Sequence, residues 1–323
     1  MRVLITGVGG ALGSRVAAIL ERRQDVEAIE GFDVEAPRRP LRRVRTTVID
    51  PRDRHIVVRA VQRFAPTAVV HLGIYEPDAR ATPRVAASRT EEGTLAVLGA
   101  AIDSAAGSLD RIVMRSGIEV YGRRRGSPVM PDESVVPDPT SSFGRSLLRT
   151  EQIAMATGAE AGVPVATLRF APLVGPDFPS PLARLLRQRA VPISAMADPS
   201  FCLLHEDDAA RAVVDALVRK PDGPVNVVGS GAVTTLQVLR LGRRIPIPVL
   251  GVQWAMARRA SAWLGSPVPD HVLELLQRGR TADGGLAASV LGQVPRHSTI
   301  ELAKQLFGWG KVVPFRAVAE AAA

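Results

Sequence analysis

A glycine-rich turn near the start of the chain constrains the fold more than any other feature. Residues 1–6 (MRVLIT) are mostly apolar, Gly7, Gly10 and Gly13 follow at three-residue spacing, and residues 14–23 have the apolar spacing of a helix. This pattern predicts a buried strand, a tight turn and a helix that begins in the turn. The first N–H groups of such a helix and the positive end of its dipole attract an anion, and glycine lets a pyrophosphate approach the backbone.

An acidic residue stands where a dinucleotide-binding fold needs one. Residues 28–33 (AIEGFD) have the composition of a second strand, and Asp33 follows Gly13 by 20 residues. A carboxylate about 20 residues after the glycines accepts hydrogen bonds from the adenosine ribose. Because it also repels a 2′-phosphate, the sequence favours NAD as the cofactor. NADP is not excluded, since four arginines follow closely: Arg38, Arg39, Arg42 and Arg43.

Segments of strand and helix character alternate through the first half of the chain. Further strands are predicted at residues 44–50, 68–72, 111–114 and 165–170, with helices at 54–64, 89–106 and 143–158 between them. Alternation of this length predicts an α/β fold with a Rossmann-type, doubly wound parallel sheet. Ligands of such folds bind at the carboxyl ends of the strands.

The alternation loosens after residue 170. We expect an NAD(P)-binding Rossmann lobe at residues 1–170, completed by about 201–229, where a strand, a helix at 206–219 and a last strand at 225–228 are predicted. Residues 171–200 and 230–323 are expected to form a smaller C-terminal substrate or cap lobe, helical with proline breaks after residue 234. The ligand site is expected in the cleft between the two lobes.

Charge and composition argue against several classes of protein. The net charge is +9, but arginine supplies all of the positive side chains except Lys220, Lys304 and Lys311, and these charges are scattered along the chain. A nucleic-acid-binding surface would concentrate them on one face, so no nucleic-acid partner is expected. The single cysteine, Cys202, excludes an intrachain disulfide. No side chains have convincing metal-ligand spacing, and no metal is expected.

Targeting signals are also absent from the sequence pattern. No apolar run reaches the 18 or so residues of a membrane span. The first residues enter a core strand directly and leave no room for a signal peptide. We therefore expect a cytoplasmic protein that acts on a small-molecule substrate.

Nine stretches, taken in this order, resemble the extended short-chain dehydrogenase/reductase family, specifically its NAD-dependent epimerase/dehydratase branch. The resemblance spans nearly the whole chain. It is carried by TGVGGALG at 6–13, Asp33, IDPRD at 49–53, VVHLG at 69–73, GT at 93–94, EVYG at 119–122, PVMPDES at 128–134, LRFAPLVGP at 168–176 and LLHEDDAARAV at 203–213.

The resemblance implies specific cofactor contacts. The three glycines of the turn would hold the pyrophosphate, Asp33 the adenosine ribose, and Asp50 the adenine amino group. Leu72 and Gly73 would pack against the cofactor, and Pro172 would lie near the nicotinamide. The resemblance also allows a homodimer, since many members of the family dimerise through two helices of the Rossmann lobe.

The catalytic motif of the family is missing from its expected place. Members use Tyr-x-x-x-Lys: the tyrosine exchanges a proton with the substrate hydroxyl, and the lysine lowers the pKa of the tyrosine. Here these positions are Phe143 and Leu147, and the serine or threonine of the relay falls on Gly117. The chain thus resembles an atypical member. Its remaining polar candidates for catalysis are Ser116, Tyr121 and Arg145, and arginine cannot act as a general acid near neutral pH.

The substrate position also departs from the family pattern. Sugar epimerases commonly carry an arginine four residues before the histidine that corresponds to His205, and this chain has Phe201 there. A buried diphosphate without its cation is costly, so Phe201 favours a less charged ligand.

Two functions remain open at this point. The first is an NAD-binding, epimerase/dehydratase-like oxidoreductase that acts on a carbinol or carbonyl substrate with a degenerate proton relay. The alternative is a non-catalytic NAD(P)-sensing or scaffold protein on the same fold.

Overall fold

The computed structural model describes residues 1–37, 40–50, 52–77, 81–104, 108–251, 253–254, 256, 268–292 and 294–309. The predictions that concern Arg38, Arg39 and the C-terminal end of the second lobe, residues 310–323, lie outside these described residues.

A seven-stranded parallel sheet forms the centre of the molecule. The described residues form thirteen strands, of which seven belong to this sheet: β1 (Arg2–Thr6), β2 (Ala28–Asp33), β3 (Val44–Val48), β4 (Ala68–His71), β5 (Arg111–Gly117), β6 (Val165–Phe170), β7 (Leu173–Val174), β8 (Ala190–Ser194), β9 (Ser200–Phe201), β10 (Leu204–His205), β11 (Gly223–Val227), β12 (Val233–Thr234) and β13 (Ile245–Val249). The central sheet has the order β11-β6-β5-β4-β1-β2-β3, and all its pairs are parallel. The Rossmann-type α/β fold is therefore confirmed.

Helices cover both faces of this sheet. They are α1 (Ala11–Leu20), α2 (Arg54–Phe64), α3 (Pro83–Ser104), α4 (Ser142–Ala161), α5 (Pro181–Leu186), α6 (Glu206–Arg219), α7 (Thr235–Leu241), α8 (Asp270–Arg278), α9 (Gly285–Leu291) and α10 (Thr299–Gln305). Helix α1 packs against α6, while α2, α3 and α4 pack side by side. Alternate residues of β1 serve the two faces: Val3 and Ile5 pack in one hydrophobic cluster and Leu4 in the other.

The helices and strands predicted up to residue 170 all occur in the structure, with bounds that differ by up to six residues. Helix α2 has the predicted bounds, and α3 begins earlier than predicted, at Pro83. The prediction of helix after residue 234 was wrong at β13, which pairs in parallel with β8. Prolines at positions 246 and 248 exclude a helix interior, and an exposed edge strand tolerates them because it does not need their N–H groups.

A third hydrophobic cluster lies outside the central sheet. Phe201, Leu276 and Leu302 are fully buried in it. Helix α8 contributes to this cluster and also packs against α4. One end of α8 therefore reaches the carboxyl edge of the central sheet. The lobe boundaries stay a prediction.

Candidate functional site

The glycine turn between β1 and α1 packs closely against the protein's own backbone. Gly7 adopts φ +74°, and a Cβ there would lie 2.8 Å from the carbonyl carbon of Leu72. A Cβ on Gly13 would overlap the carbonyl oxygen of Gly7. Gly10 is the N-cap residue of α1 and lacks a side chain that would occupy the helix N-terminus. Gly7 and Gly13 therefore cannot carry a side chain, and the role of the turn in holding a pyrophosphate stays a prediction.

Asp33 lies directly beside this turn. Its Oδ2 accepts a hydrogen bond of 2.8 Å from the backbone N–H of Gly9, and its Oδ1 accepts one of 2.7 Å from Val34. Burial raises the pKa of Asp33, and these backbone donors partly offset that effect. Oδ1 also accepts a hydrogen bond of 3.4 Å from the N–H of Glu35, so the lone pair left for a ribose hydroxyl is on Oδ2. A Cβ on Gly9 would overlap the Glu35 carbonyl oxygen, so this glycine, which the sequence analysis did not single out, is also required.

Asp50 lies at the edge of the same region. Its carboxylate pairs with the guanidinium of Arg52, with Nε 3.0 Å from Oδ1, and this bond lowers the pKa of Asp50. An adenine amino group at this carboxylate would share it with Arg52.

Leu72 and Gly73 follow β4 and face the glycine turn. Leu72 is buried, and the N–H of Gly73 donates to Oγ1 of Thr6 at 3.2 Å. His71 holds the neighbouring backbone: its Nδ1 lies 2.8 Å from the Thr6 hydroxyl and its Nε2 2.9 Å from that of Thr94. Burial lowers the pKa of His71 to about 4, so the ring is neutral and structural.

Tyr75 and Arg89 extend this region beyond the residues that the sequence analysis named. The Arg89 guanidinium carbon lies 5.9 Å from the centroid of the Tyr75 ring. Burial raises the pKa of Tyr75 to about 12, and the charges of Asp33 and Asp50 contribute. Because both carboxylates act on this phenol, Tyr75 belongs to the nucleotide side of the site.

A cavity lies at the carboxyl ends of β5 and β6, where the resemblance places the nicotinamide and the substrate. The centre of a water-sized molecule can occupy about 30 Å³ of it, and the empty space around that region, part of it open solvent, is about 460 Å³. Ser116, Gly117 and Pro172 line it, together with side chains from α4, α5 and α8.

The three relay positions are apolar or lack a side chain. Phe143 and Leu147 are buried at the start of α4, and Phe143 lines the cavity. At Gly117 a Cβ would overlap a carboxylate oxygen of Glu119 and lie 3.1 Å from Leu147. The space of the relay serine is thus filled by Glu119.

His271 lies beside Phe143 in this cavity. The two ring centroids are 4.8 Å apart with their planes inclined by 44°. The histidine side chain is 4% exposed, and its Nε2 lies 3.0 Å from Oε1 of Glu76. Burial opposes a positive charge on the ring, but the carboxylates of Asp270 and Glu76 outweigh it and raise the pKa of His271 to about 9. Sequence analysis did not identify His271, because one histidine in an amphipathic helix carries no pattern.

A buried ion-pair chain closes one side of the cavity. Arg280 donates to Glu119 at 3.0 Å and to Glu274 at 2.8 Å, and its side chain is 3% exposed. This chain ties the segment after α8 to the end of β5.

Two of the predicted catalytic candidates belong to another buried network. The Ser116 hydroxyl donates to Glu151, which also pairs with Arg169 at 2.7 Å. The Tyr121 hydroxyl accepts from Arg169 at 2.9 Å and donates to Asn226 at 2.9 Å. Ser116 borders the cavity, but its proton and that of Tyr121 are already used in bonds to protein groups.

Arg145, the third candidate, points away from this network. Its guanidinium is exposed and donates to the carbonyl oxygen of Thr140 at 3.0 Å. Phe201 is fully buried in the third hydrophobic cluster. Its position therefore offers no cation to a diphosphate.

Metal binding and membrane insertion are two other kinds of function that the described ranges can be checked for. In these ranges no group of three or more His, Cys, Asp or Glu side chains is placed to hold a metal ion. None of the helices in the same ranges combines the length and the apolar character needed to cross a bilayer.

Residues 3–229 match the model of the NAD dependent epimerase/dehydratase family. Because the match covers more than half of the sequence, the chain belongs to this family. The resemblance predicted from the sequence is thereby confirmed.

Two relatives illustrate the range of similarity. An uncharacterised protein of Mycobacterium tuberculosis is 29% identical over 316 residues, which cover 93% of this chain and 81% of that protein. The UDP-glucose 4-epimerase of Azospirillum brasilense is 28% identical over 180 residues, 54% of this chain and 50% of the epimerase.

Solved structures of similar fold include two epimerases. The UDP-glucose 4-epimerase of Thermotoga maritima, solved with UDP-glucose, has a TM-score of 0.73 at 20% identity and covers 96% of this chain and 98% of its own. The UDP-glucuronic acid 4-epimerase of Bacillus cereus, solved with UDP-glucuronic acid and NAD, has a TM-score of 0.73 at 19% identity with the same coverage. At these identities the comparison shows a shared fold.

Proposed function

We propose that the protein binds NAD and exchanges a hydride with a carbinol or carbonyl carbon of a small-molecule substrate. One observation carries this proposal. The Gly9 N–H···Asp33 hydrogen bond joins the glycine turn at the N-terminus of α1 to a carboxylate that keeps a lone pair for a ribose hydroxyl.

Each part of the cofactor has matching residues. Gly7, Gly10 and Gly13 would hold the pyrophosphate, Asp33 the ribose and Asp50 the adenine, while Leu72, Gly73 and Pro172 would pack against the rings. When bound, NAD would supply the hydride acceptor and donor. The preference for NAD over NADP rests on the negative charge of Asp33.

The substrate would bind in the cavity at the carboxyl ends of β5 and β6. A substrate there would be enclosed by Phe143 and Leu147 on α4 and by charged groups from three other segments. The solved relatives carry UDP-sugars. We propose a less charged substrate for this chain, because Phe201 occupies the place of a diphosphate-binding arginine and is buried.

A non-catalytic, NAD(P)-sensing or scaffold role is the second candidate. It is supported by the buried apolar side chains of Phe143 and Leu147, at the positions that the resemblance assigns to the tyrosine and the lysine of the relay. Turnover distinguishes the two functions.

The test combines product analysis with two matched variants. The protein is incubated with NAD and, separately, UDP-glucose, UDP-glucuronic acid, free sugars and simple ketones, and products are followed by NMR. Asp33→Ala removes the ribose contact, whereas Glu27→Ala removes an exposed carboxylate (69% exposed) that precedes the same strand. Turnover that Asp33→Ala loses and Glu27→Ala keeps supports the oxidoreductase. Binding of NAD or NADP without turnover favours the sensing role, and failure to bind either contradicts the oxidoreductase and favours the scaffold role.

We also propose a homodimer formed across α3 and α4. These helices pack side by side, and Val85, Leu95 and Met155 are large apolar side chains that they leave exposed. Sedimentation of the purified chain is expected to show a dimer that Leu95→Glu converts to a monomer. A monomeric wild-type protein would refute this arrangement.

A further inference from the structure

A titratable ring from the second half of the chain lies at the place of the missing tyrosine. His271 packs on Phe143, and both side chains line the cavity that contains Pro172. We infer that His271 exchanges the proton with the substrate oxygen, in place of the tyrosine that the family uses. This inference rests on the proposed NAD-dependent function.

The partners of the ring identify the nitrogen that would carry this proton. Nε2 lies 3.0 Å from the Glu76 carboxylate, which accepts its proton and fixes the orientation of the ring. Nδ1 is buried and has no hydrogen-bond partner among the described residues. The Asp270 carboxylate is 3.9 Å from Nδ1, beyond hydrogen-bond distance, and is among the groups that raise the pKa of the ring. A base whose orientation is fixed through one nitrogen and whose other nitrogen makes no hydrogen bond is the arrangement that proton transfer requires.

Charges from every neighbouring segment determine the protonation of the ring. The carboxylates of Glu76, Glu119 and Asp270 favour the imidazolium form, and the Glu76 carboxylate is itself held by Arg115 at 3.7 Å and faces Arg184. Arg280 lines the same cavity, but its charge is paired with Glu119 and Glu274. With a pKa of about 9, the ring is protonated at neutral pH and is ready to donate.

The step balances in both directions. In reduction, the carbonyl carbon gains a hydride from the reduced dinucleotide while its oxygen gains the Nδ1 proton. The C=O bond becomes a C–OH group, and the imidazolium becomes neutral imidazole. In oxidation, neutral imidazole takes the hydroxyl proton while the carbinol carbon loses its hydride to the oxidised dinucleotide.

NMR titration tests this placement without a substrate. Protein labelled with ¹³C-histidine is titrated from pH 5.5 to 10, once saturated with NAD and once with NADH. The resonance of His271 is the one that is missing from the spectrum of the His271→Gln variant. If that variant does not fold, Glu76→Gln identifies the resonance instead, because this variant keeps the histidine but loses the upward shift of its pKa. The exposed His55 on α2 is the internal reference.

We expect the His271 midpoint to be lower with NAD than with NADH by about one pH unit or more, because only the oxidised nicotinamide carries a positive charge. The His55 midpoint should be the same with both. Equal His271 midpoints, with both cofactors still stabilising the protein against heat, would overturn the inference and leave the proposed function intact. A His271–Glu76 ion pair that lies away from the nicotinamide predicts that outcome. If neither cofactor stabilised the protein, the proposed function would fail, and this inference with it.

Discussion

The rings of His271 and Phe143 pack against each other with their centroids 4.8 Å apart. The resemblance assigns Phe143 to the position of the family's catalytic tyrosine, and phenylalanine has an aromatic ring but no hydroxyl. The titratable group at this place comes instead from α8, and Glu76, after β4, holds it.

The pair of His271 and Glu76 makes stability depend on pH in a defined direction. The pKa of His271 is raised from 6.5 to about 9, so its contribution is complete below pH 6.5 and is lost as the pH rises through 9. Urea denaturation should show a fall of up to roughly 3 kcal/mol across this window, which His271→Gln removes. His55→Gln, on an exposed face of α2, should keep the fall. Identical pH slopes in wild-type protein and His271→Gln would contradict the raised pKa.

The glycine turn predicts a difference between two Gly→Ala substitutions in helices. A Cβ on Gly13 overlaps the Gly7 carbonyl oxygen, whereas a Cβ on Gly99 of α3 meets nothing within 4 Å. Gly13→Ala should destabilise the protein by about 1 to 3 kcal/mol and abolish its stabilisation by NAD. Gly99→Ala should be neutral or stabilising by up to about 1 kcal/mol. Equal thermal shifts with NAD in the two variants would argue against this turn as the phosphate site.

The loss of the Tyr121 hydroxyl is expected to lower the free energy of unfolding. Tyr121→Phe leaves Arg169 and Asn226 without their shared buried partner, which costs about 1 to 3 kcal/mol in chemical denaturation. NAD should still stabilise this variant. Arg145→Ala, at an exposed side chain, should change the free energy of unfolding by less than about 0.5 kcal/mol. A fully stable Tyr121→Phe variant would show that the network contributes nothing.

Sequence alone predicted the nucleotide side of the site because its residues are close in the chain. Gly13 and Asp33 lie 20 residues apart, within one strand-helix-strand unit, and their spacing reflects its geometry. The ionisable group of the cavity has no such local pattern. His271 meets Glu76 across 195 residues of sequence, and only the packing of α8 against α4 brings them together.

The prolines of β13 misled the sequence analysis in a different way. They indicated breaks between helices, whereas an exposed edge strand accommodates proline without losing a hydrogen bond. The pairing of β13 with β8 depends on a segment more than 50 residues earlier in the chain. The pattern of residues 245–249 alone does not predict this pairing.

The most direct test of the account is the thermal stability of the purified protein with each of NAD, NADH, NADP and NADPH. A ligand at 100 times its dissociation constant adds about 2.7 kcal/mol to the free energy of unfolding. The glycine turn and Asp33 predict a rise in melting temperature with NAD and NADH, and a smaller rise or none with the two phosphorylated forms. An unchanged melting temperature with all four would contradict the assignment of this site to a dinucleotide.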